Sequence, residues 1–270
     1  MAATFHPVET RPARQWRRGE AGDVAIERPL ADEAPVGLLY DGRPHAVLMT
    51  TPTDLEDLAV GFTVSERIAT MAEIEGVSTE TLDQGVQVDI RLTAEGRKGR
   101  AKARTRTLEG RSSCGLCGVQ RLVQAVRPLS PLAAGQVFAR GAIEAALDAL
   151  DAEQALGRLT RAMHAAAFAG ASGGLNLVRE DVGRHNALDK VIGGAVRTGL
   201  DPATGFVVIT SRCSYEMVEK AAVAGFPLMV AISAPTALAI RKAEECGMTL
   251  VALARADGCT VFTRPERIVP

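Results

Sequence analysis

The chain has 270 residues, 47% of them hydrophobic and only 4% aromatic, with 31 basic against 32 acidic residues for a formal net charge of −1. That length and apolar content suffice for one large core or two modest ones, and the near-neutral balance excludes a global pull towards nucleic acid or acidic membrane. No apolar run approaches the roughly 18 residues of a membrane-spanning helix, so the chain reads as soluble and globular.

Residues 1–22 mix Arg11, Arg14, Arg17 and Arg18 with prolines and show no apolar period, the pattern of a flexible terminus outside the core. The same stretch lacks the apolar segment of a signal peptide. Five cysteines, Cys114, Cys117, Cys213, Cys246 and Cys259, form an odd set, and the expected compartment is the reducing cytoplasm. A Cys-x-x-Cys there is redox-active, sulfur-carrying or metal-binding before it is a structural disulfide.

Val36 to Tyr40 and His45 to Thr50 flank Asp41-Gly42-Arg43-Pro44 and predict a hairpin. Thr53-Asp54-Leu55-Glu56 has the spacing of a capping box, and Leu55, Leu58, Ala59 and Phe62 continue at helical spacing. Val86 to Leu92 alternates strictly, which predicts a strand with one buried face in a mostly antiparallel sheet. Residues 23–127 are thus expected to form a small α+β domain that ends in the cysteine loop and a helix, and residues 128–270 an α/β domain. Ile143, Ala146, Leu147 and Leu150 make a helical stripe, and the alanine-rich stretch around His164 to Ala169 is expected to be helical too.

Phe206–Ile209, Leu228–Ile232 and Leu250–Leu253 are apolar runs roughly 22 residues apart. Between them, helices Tyr215 to Ala224 and Ala237 to Cys246 stop at Gly225 and Gly247, where a left-handed cap is needed. Continuous apolar strands alternating with capped helices predict a parallel sheet covered on both faces. Ligands of such sheets bind beyond the carboxyl ends of the strands. Three segments should share that rim: Ser211-Arg212-Cys213-Ser214, Ser233-Ala234-Pro235-Thr236 and Arg255-Ala256-Asp257-Gly258.

Cys114-Gly115-Leu116-Cys117 sits among small residues, and Val119, Leu122, Val123 and Val126 follow as a helical stripe. Thiols on a loop feeding a helix start are favoured as thiolates, the nucleophile that persulfide chemistry needs. Upstream, Arg97, Lys98, Arg100, Lys102, Arg104 and Arg106 would stabilise an anion and attract a phosphorylated ligand. The plain alternative is a solvated basic loop. For the pair itself, a zinc site completed by Cys213, Cys246, Cys259 or a histidine, a thioredoxin-like dithiol and a chance pairing all stay open at this point.

Arg179 to Lys190 packs both charge signs and His185 around Gly183 just before the helix expected from Ala187 to Ile192. It is equally a ligand-orienting loop with a proton-transferring histidine and a helix start with local ion pairs. His164 reads as a packed helix histidine, and Cys213, Cys246 and Cys259 as small hydrophobes. His6 and His45 carry no signal. No phosphate loop and no well-placed Gly-x-Gly-x-x-Gly occur, which disfavours triphosphate hydrolysis and dinucleotide redox chemistry.

Taken together, Ser113-Cys114-Gly-Leu-Cys117-Gly118-Val119, Glu180-Asp181-Val182-Gly183-Arg184-His185-Asn186-Ala187-Leu188-Asp189-Lys190 and Ser211-Arg212-Cys213-Ser214-Tyr215-Glu216-Met217-Val218 closely resemble the FdhD family of formate dehydrogenase accessory sulfurtransferases. The resemblance implies a cytoplasmic homodimer that accepts sulfur from a cysteine desulfurase. It passes the sulfur to the bis-molybdopterin guanine dinucleotide cofactor (Mo-bis-MGD) before that cofactor enters formate dehydrogenase. It also implies that Cys114 carries the persulfide, that Cys117 assists, and that Leu253, Ala254, Arg255, Ala256, Asp257 and Gly258 bind the cofactor, with no metal site of the protein's own. The implied fold is a cytidine-deaminase-like α/β/α domain joined to a smaller N-terminal α+β domain. Family members often have an aromatic where this chain has Leu253. Zinc deaminases carry His-x-Glu and Pro-Cys-x-x-Cys; this chain has no His-x-Glu, and Ser113 precedes Cys114. A non-catalytic chaperone that binds the cofactor and docks the dehydrogenase is the alternative function.

Overall fold

The structure, a computed structural model, describes residues 4–19, 22–102, 127–133, 136–255 and 257–270. Strands β1 (Val8–Gln15) and β2 (Val24–Ala31) pair antiparallel as a two-stranded ribbon. The flexible terminus expected from residues 1–22 is corrected over Val8–Gln15: backbone pairing with β2 extends it without any apolar period. None of its residues enters a core.

β3 (Ala34–Tyr40) and β4 (Arg43–Thr50) are the expected hairpin. Asp41 and Gly42 both have positive φ (51° and 73°), the conformation a two-residue turn requires to match strand twist. β5 (Ile74–Leu82) and β6 (Gly85–Leu92) complete a sheet of order β4-β3-β6-β5 in which only β3 and β6 run parallel. Val86, Val88, Ile90 and Leu92 face its core as their alternation predicts, against Leu38, Tyr40 and, from helix α1 (Leu55–Ser65), Ala59 and Phe62. The capping box at Thr53 does not form. Asp54 caps α1 in a left-handed conformation, and no side chain caps the helix. Thr53 faces Lys190, Asp54 pairs with Arg179 and Glu56 with Arg197, so distant partners take the capping side chains. Helix α2 (Ala94–Lys102) makes the first half of the basic stretch helical rather than a loop.

After β7 (Phe138–Ala139) come helices α3 (Arg140–Glu153) and α4 (Ala155–Thr160), then β8 (His164–Gly170), β9 (Leu175–Asp181), helix α5 (Arg184–Arg197) and β10 (Gly205–Ile209). Helix α6 (Tyr215–Ala224), β11 (Leu228–Ala231), helix α7 (Ala237–Cys246), β12 (Thr249–Arg255), β13 (Gly258–Thr263) and the short β14 (Ile268–Val269), which pairs with β7, end the chain. The six-stranded sheet has order β13-β12-β11-β10-β8-β9. Its centre, β10-β11-β12, is parallel as expected, with Gly225 and Gly247 as left-handed caps. β8, β9 and β13 are antiparallel additions.

β8 replaces the helix expected around His164 to Ala169. Alanine favours helix in isolation, but here tertiary burial decides. Ala166 and Phe168 join the core under α5, α6 and α7, while Ala165, Ala167 and Ala169 join the core under α3. Helix α5 also packs on α1, bringing the four-stranded sheet against the large one: an added Cβ on Gly61 would lie 1.7 Å from the Asp189 carbonyl oxygen.

Candidate functional site

The carboxyl ends of the large sheet form one continuous rim, held by backbone bonds between neighbouring loops. Cys213 N–H donates to Ala234 O (3.2 Å), Thr236 N–H to Cys213 O (2.9 Å) and Leu253 N–H to Ser233 O (3.2 Å). Because β8 runs against β10, its start belongs to the same rim: Ala165 N–H donates to the Thr210 hydroxyl at 2.9 Å. Ser211–Ser214 and Ser233–Thr236 are therefore rim loops as the sequence predicts, and the chain leaves β12 for β13 beside them.

Leu253 breaks β12. Its φ of 55° is a left-handed conformation that a branched side chain adopts at a cost, and the register with β13 slips between Ala252 and Arg255. The break turns Leu253 outward to 40% exposure while Ala254 stays buried. Arg255 and Asp257 are exposed at the turn, with Gly258 behind them at φ 139°. Strain of this kind collects at ligand sites. Ala256 lies outside the described residues, as do Cys114, Cys117, Arg104 and Arg106.

The motif from Arg179 to Lys190 divides between scaffold and rim. Asp181 and Lys190 are both fully buried and 2.7 Å apart. Asp181 also accepts from Thr51 N–H (3.1 Å), Gly183 N–H (2.8 Å), Asn186 Nδ2 (3.0 Å) and the Thr50 hydroxyl. Glu180 accepts from Leu156 and Gly157 N–H at the start of α4. Asp189 receives Lys220 at 2.8 Å and the Ser65 hydroxyl at 2.6 Å. These charges are structural, as the plainer of the two sequence readings has it.

His185 is different. Its Nε2 lies 3.0 Å from Glu216 Oε2 in the first turn of α6, so the ring is oriented at the rim. His164, expected to be packed in a helix, opens β8 opposite Asp181. Burial lowers its pKa, and the charges of Arg184, His185 and Arg212 lower it further against Asp181. The guanidinium groups of Arg184 and Arg212 thus act on His164 at the β8 end of the rim. Arg184, His185 and Arg212 stand in motifs legible in the sequence, whereas His164 does not. Its position at a strand start is the signal that the alanine-rich context hid.

A lowered histidine pKa has a definite consequence for stability. Burial also depresses His45, helped by Arg100. Below about pH 6.5 the unfolded chain binds protons that these folded histidines resist, so stability present above that pH falls as acid is added. The unfolding midpoint should drop between about pH 7.5 and 5.5, and His164→Asn should make the drop shallower. An unchanged slope in the variant would remove His164 from the account.

The buried cysteines among the described residues are poor nucleophiles. Cys213 is buried against Met229, the small hydrophobe the sequence predicts, and its pKa is pushed up to about 12 by burial. Cys246 is raised by burial too, while Cys259 is exposed on β13. A cavity of about 510 Å³ lined by Leu132, Cys246, Arg264 and Arg267 opens at the opposite end of the sheet, where β12 begins.

Two anchors flank the cysteine-bearing stretch. On the way in, Arg97 pairs with Asp41 at 3.2 Å and Arg100 lies 4.6 Å over the Tyr40 ring, so part of the basic stretch is used internally. On the way out, Arg127 Nη2 meets Glu66 Oε2 at 2.8 Å and its Nε meets Glu219 Oε1 at 2.9 Å. Lys242 donates to the Arg127 carbonyl (2.9 Å), Arg67 to Pro128 O (3.2 Å) and Leu129 N–H to Glu245 (3.0 Å).

A family model described as the FdhD/NarQ family matches residues 31–269. The sulfur carrier protein FdhD of Xanthomonas euvesicatoria pv. vesicatoria is 46% identical over 259 residues, covering 96% of this chain and 91% of that protein. The protein of the same name from Cupriavidus necator is 44% identical over 255 residues, covering 94% and 88%. The crystal structure of a formate dehydrogenase accessory protein from Desulfotalea psychrophila matches with a TM-score of 0.75 at 25% identity, over 97% of this chain and 99% of that one. Sequence and fold agree over nearly the whole length: the chain belongs to the FdhD/NarQ family.

Proposed function

We propose that this chain is a sulfur carrier and sulfurtransferase that moves sulfur from a cysteine desulfurase to Mo-bis-MGD for formate dehydrogenase. The relatives' names support the class. In this reading the Cys114 thiolate attacks the terminal sulfur of the donor's persulfide, Cys114-S-SH forms, and the donor leaves as its own thiolate. Cys117 assists. The cargo lies on the rim, with Leu253 to Gly258 at one end, where Arg255 offers a cation to phosphate. Arg184 and Arg212, near His164, offer further cations to negative charge. The same reading takes residues 128–270 as a cytidine-deaminase-like unit, residues 23–127 as its α+β companion, and the protein as a cytoplasmic homodimer.

One observation carries the reading furthest. Glu219, which holds Arg127, is three residues along α6 from Glu216 at the rim, a rise of about 4.5 Å. Arg127 is ten steps along the chain from Cys117, a stretch able to span at most roughly 33–36 Å. Chain length alone therefore allows the cysteines to reach the rim despite their separation in sequence.

Labelled sulfur tests this directly. Wild type incubated with a desulfurase and labelled cysteine should gain one sulfur on Cys114 by intact mass and peptide mapping. Cys114→Ala should gain none there and should leave formate dehydrogenase at background activity, with Cys117→Ala in between. A Cys114→Ala protein that activates the dehydrogenase as wild type does would sink the persulfide role, and a wild type that never takes up label would leave a cofactor-binding chaperone.

A further inference from the structure

Residues 127–132 return the chain from the cysteine-bearing stretch into the described structure, and they are unusually well held. Within six residues, Arg127 forms two ion pairs, three backbone groups bind the side chains of Lys242, Arg67 and Glu245, and Leu132 N–H donates to Cys246 O at 2.8 Å. The Arg127 side chain is 22% exposed, and its partners Glu66 and Glu219 are 17% and 10% exposed. Screening is therefore weaker than for a surface pair.

The partners come from two helices that meet at the rim's support. Glu66 follows α1, and its Oε1 takes Lys220 of α6 at 3.2 Å; Lys220 in turn holds Asp189 of α5. Glu216, Glu219 and Lys220 share one face of α6, at the i, i+3, i+4 spacing that stacks side chains along a helix. Down that face run His185, Arg127 and Asp189 as successive partners. The rim histidine and the base of the cysteine-bearing stretch are thus fixed to the same helical turn.

We propose that Arg127 is a positioning residue: its pairing with Glu219 and Glu66 sets the base of the cysteine-bearing stretch beside the rim, so that the sulfur is delivered there rather than merely carried. This rests on the sulfur-carrier reading for its purpose, but the placement itself is measurable without sulfur transfer. Neutral loss of the cation leaves two carboxylates with one partner fewer. Reversal to glutamate sets three carboxylates together and pushes the base of the stretch off α6.

Disulfide trapping reads the placement. In a Cys259→Ser background, which removes the exposed described thiol, Ser233→Cys places a thiol on the rim. Diamide takes one hydrogen from each thiol and is reduced to the hydrazine, leaving a disulfide between the rim cysteine and Cys114 or Cys117, identified by peptide mapping. Arg127→Glu should slow that trapping about fivefold or more, since effective concentration falls once the tether is misplaced. Arg127→Lys should retain most of the rate, and the exchange Arg127→Glu with Glu219→Arg should restore it. Circular dichroism and the unfolding midpoint check the fold, and Arg127→Gln replaces the glutamate variant if that one fails to fold. Equal trapping in folded variant and wild type, a charge exchange that restores nothing, or no trapping in the wild-type background would each overturn the positioning role. Sulfur uptake from the desulfurase is scored separately. Its failure in wild type refutes the carrier reading and leaves the trapping result standing.

Discussion

Lys190→Met is expected to cost about 3–5 kcal/mol of folding stability, the range for removing one partner of a fully buried ion pair. Lys190 and Asp181 are both inaccessible to solvent and 2.7 Å apart. Lys190 also donates to Thr51 O at 3.0 Å and Glu180 O at 3.3 Å, so methionine fills the space but leaves a buried carboxylate and two carbonyls without their cation. Removing both charges normally recovers such a loss. Here it should not, because Asp181 also accepts from Thr51, Gly183 and Asn186, which lose their acceptor when it goes. A double variant Asp181→Leu with Lys190→Met should therefore stay at least about 2 kcal/mol below wild type. Urea denaturation at neutral pH measures both, and a single variant within about 1 kcal/mol of wild type would contradict the account.

The local effect should exceed the global one. Gly183 caps α5 just before Arg184 and His185, and its N–H is one of Asp181's donors. The buried pair thus fixes the turn from which both rim side chains project. Rim function should weaken in Lys190→Met even at temperatures where the protein is fully folded.

What the sequence shows well is what local periodicity decides. The parallel trio β10-β11-β12 follows from continuous apolar runs and glycine caps, β6 from strict alternation and the β3-β4 turn from Asp41-Gly42. What it hides is decided by distant partners. The alanines of β8 are a strand because cores close on both faces of them, and Thr53 to Glu56 do not cap α1 because Arg179, Lys190 and Arg197 draw on those side chains from more than 120 residues away. The motif from Arg179 to Lys190 looks evenly divided in sequence because it is divided in space, with Asp181, Asp189 and Lys190 inward and His185 at the rim. The cysteine pair is a different case. Spacing leaves it a reactive dithiol with zinc and redox rivals, and the sulfur-carrying role proposed for it rests on family resemblance.

Gly61→Ala and Gly193→Ala reverse the usual sign of a helix substitution. In an exposed helix interior, alanine is favoured over glycine by roughly 0.8–1 kcal/mol. Here α1 and α5 cross with their backbones in contact: a Cβ on Gly61 would lie 1.7 Å from Asp189 O, and one on Gly193 1.8 Å from Asp57 O. Both obstructing atoms are helix carbonyls, which no side-chain rotation can move aside. The helices must separate, and overpacking costs of about 1–3 kcal/mol are a floor where backbone meets backbone. Each variant should lose at least about 3 kcal/mol, while Gly141→Ala in α3, with nothing within 4 Å of its new Cβ, should be neutral or gain stability. Separation has a functional reading as well. Glu66 just beyond α1 holds Arg127, and α5 begins with Arg184 and His185 at the rim. Driving the two helices apart should move Arg127, the base of the cysteine-bearing stretch, away from the rim that the proposed function has it serve. A folded Gly61→Ala protein should therefore show slowed trapping of a rim thiol, and a wild-type trapping rate would mean that the helix contact supports the fold alone.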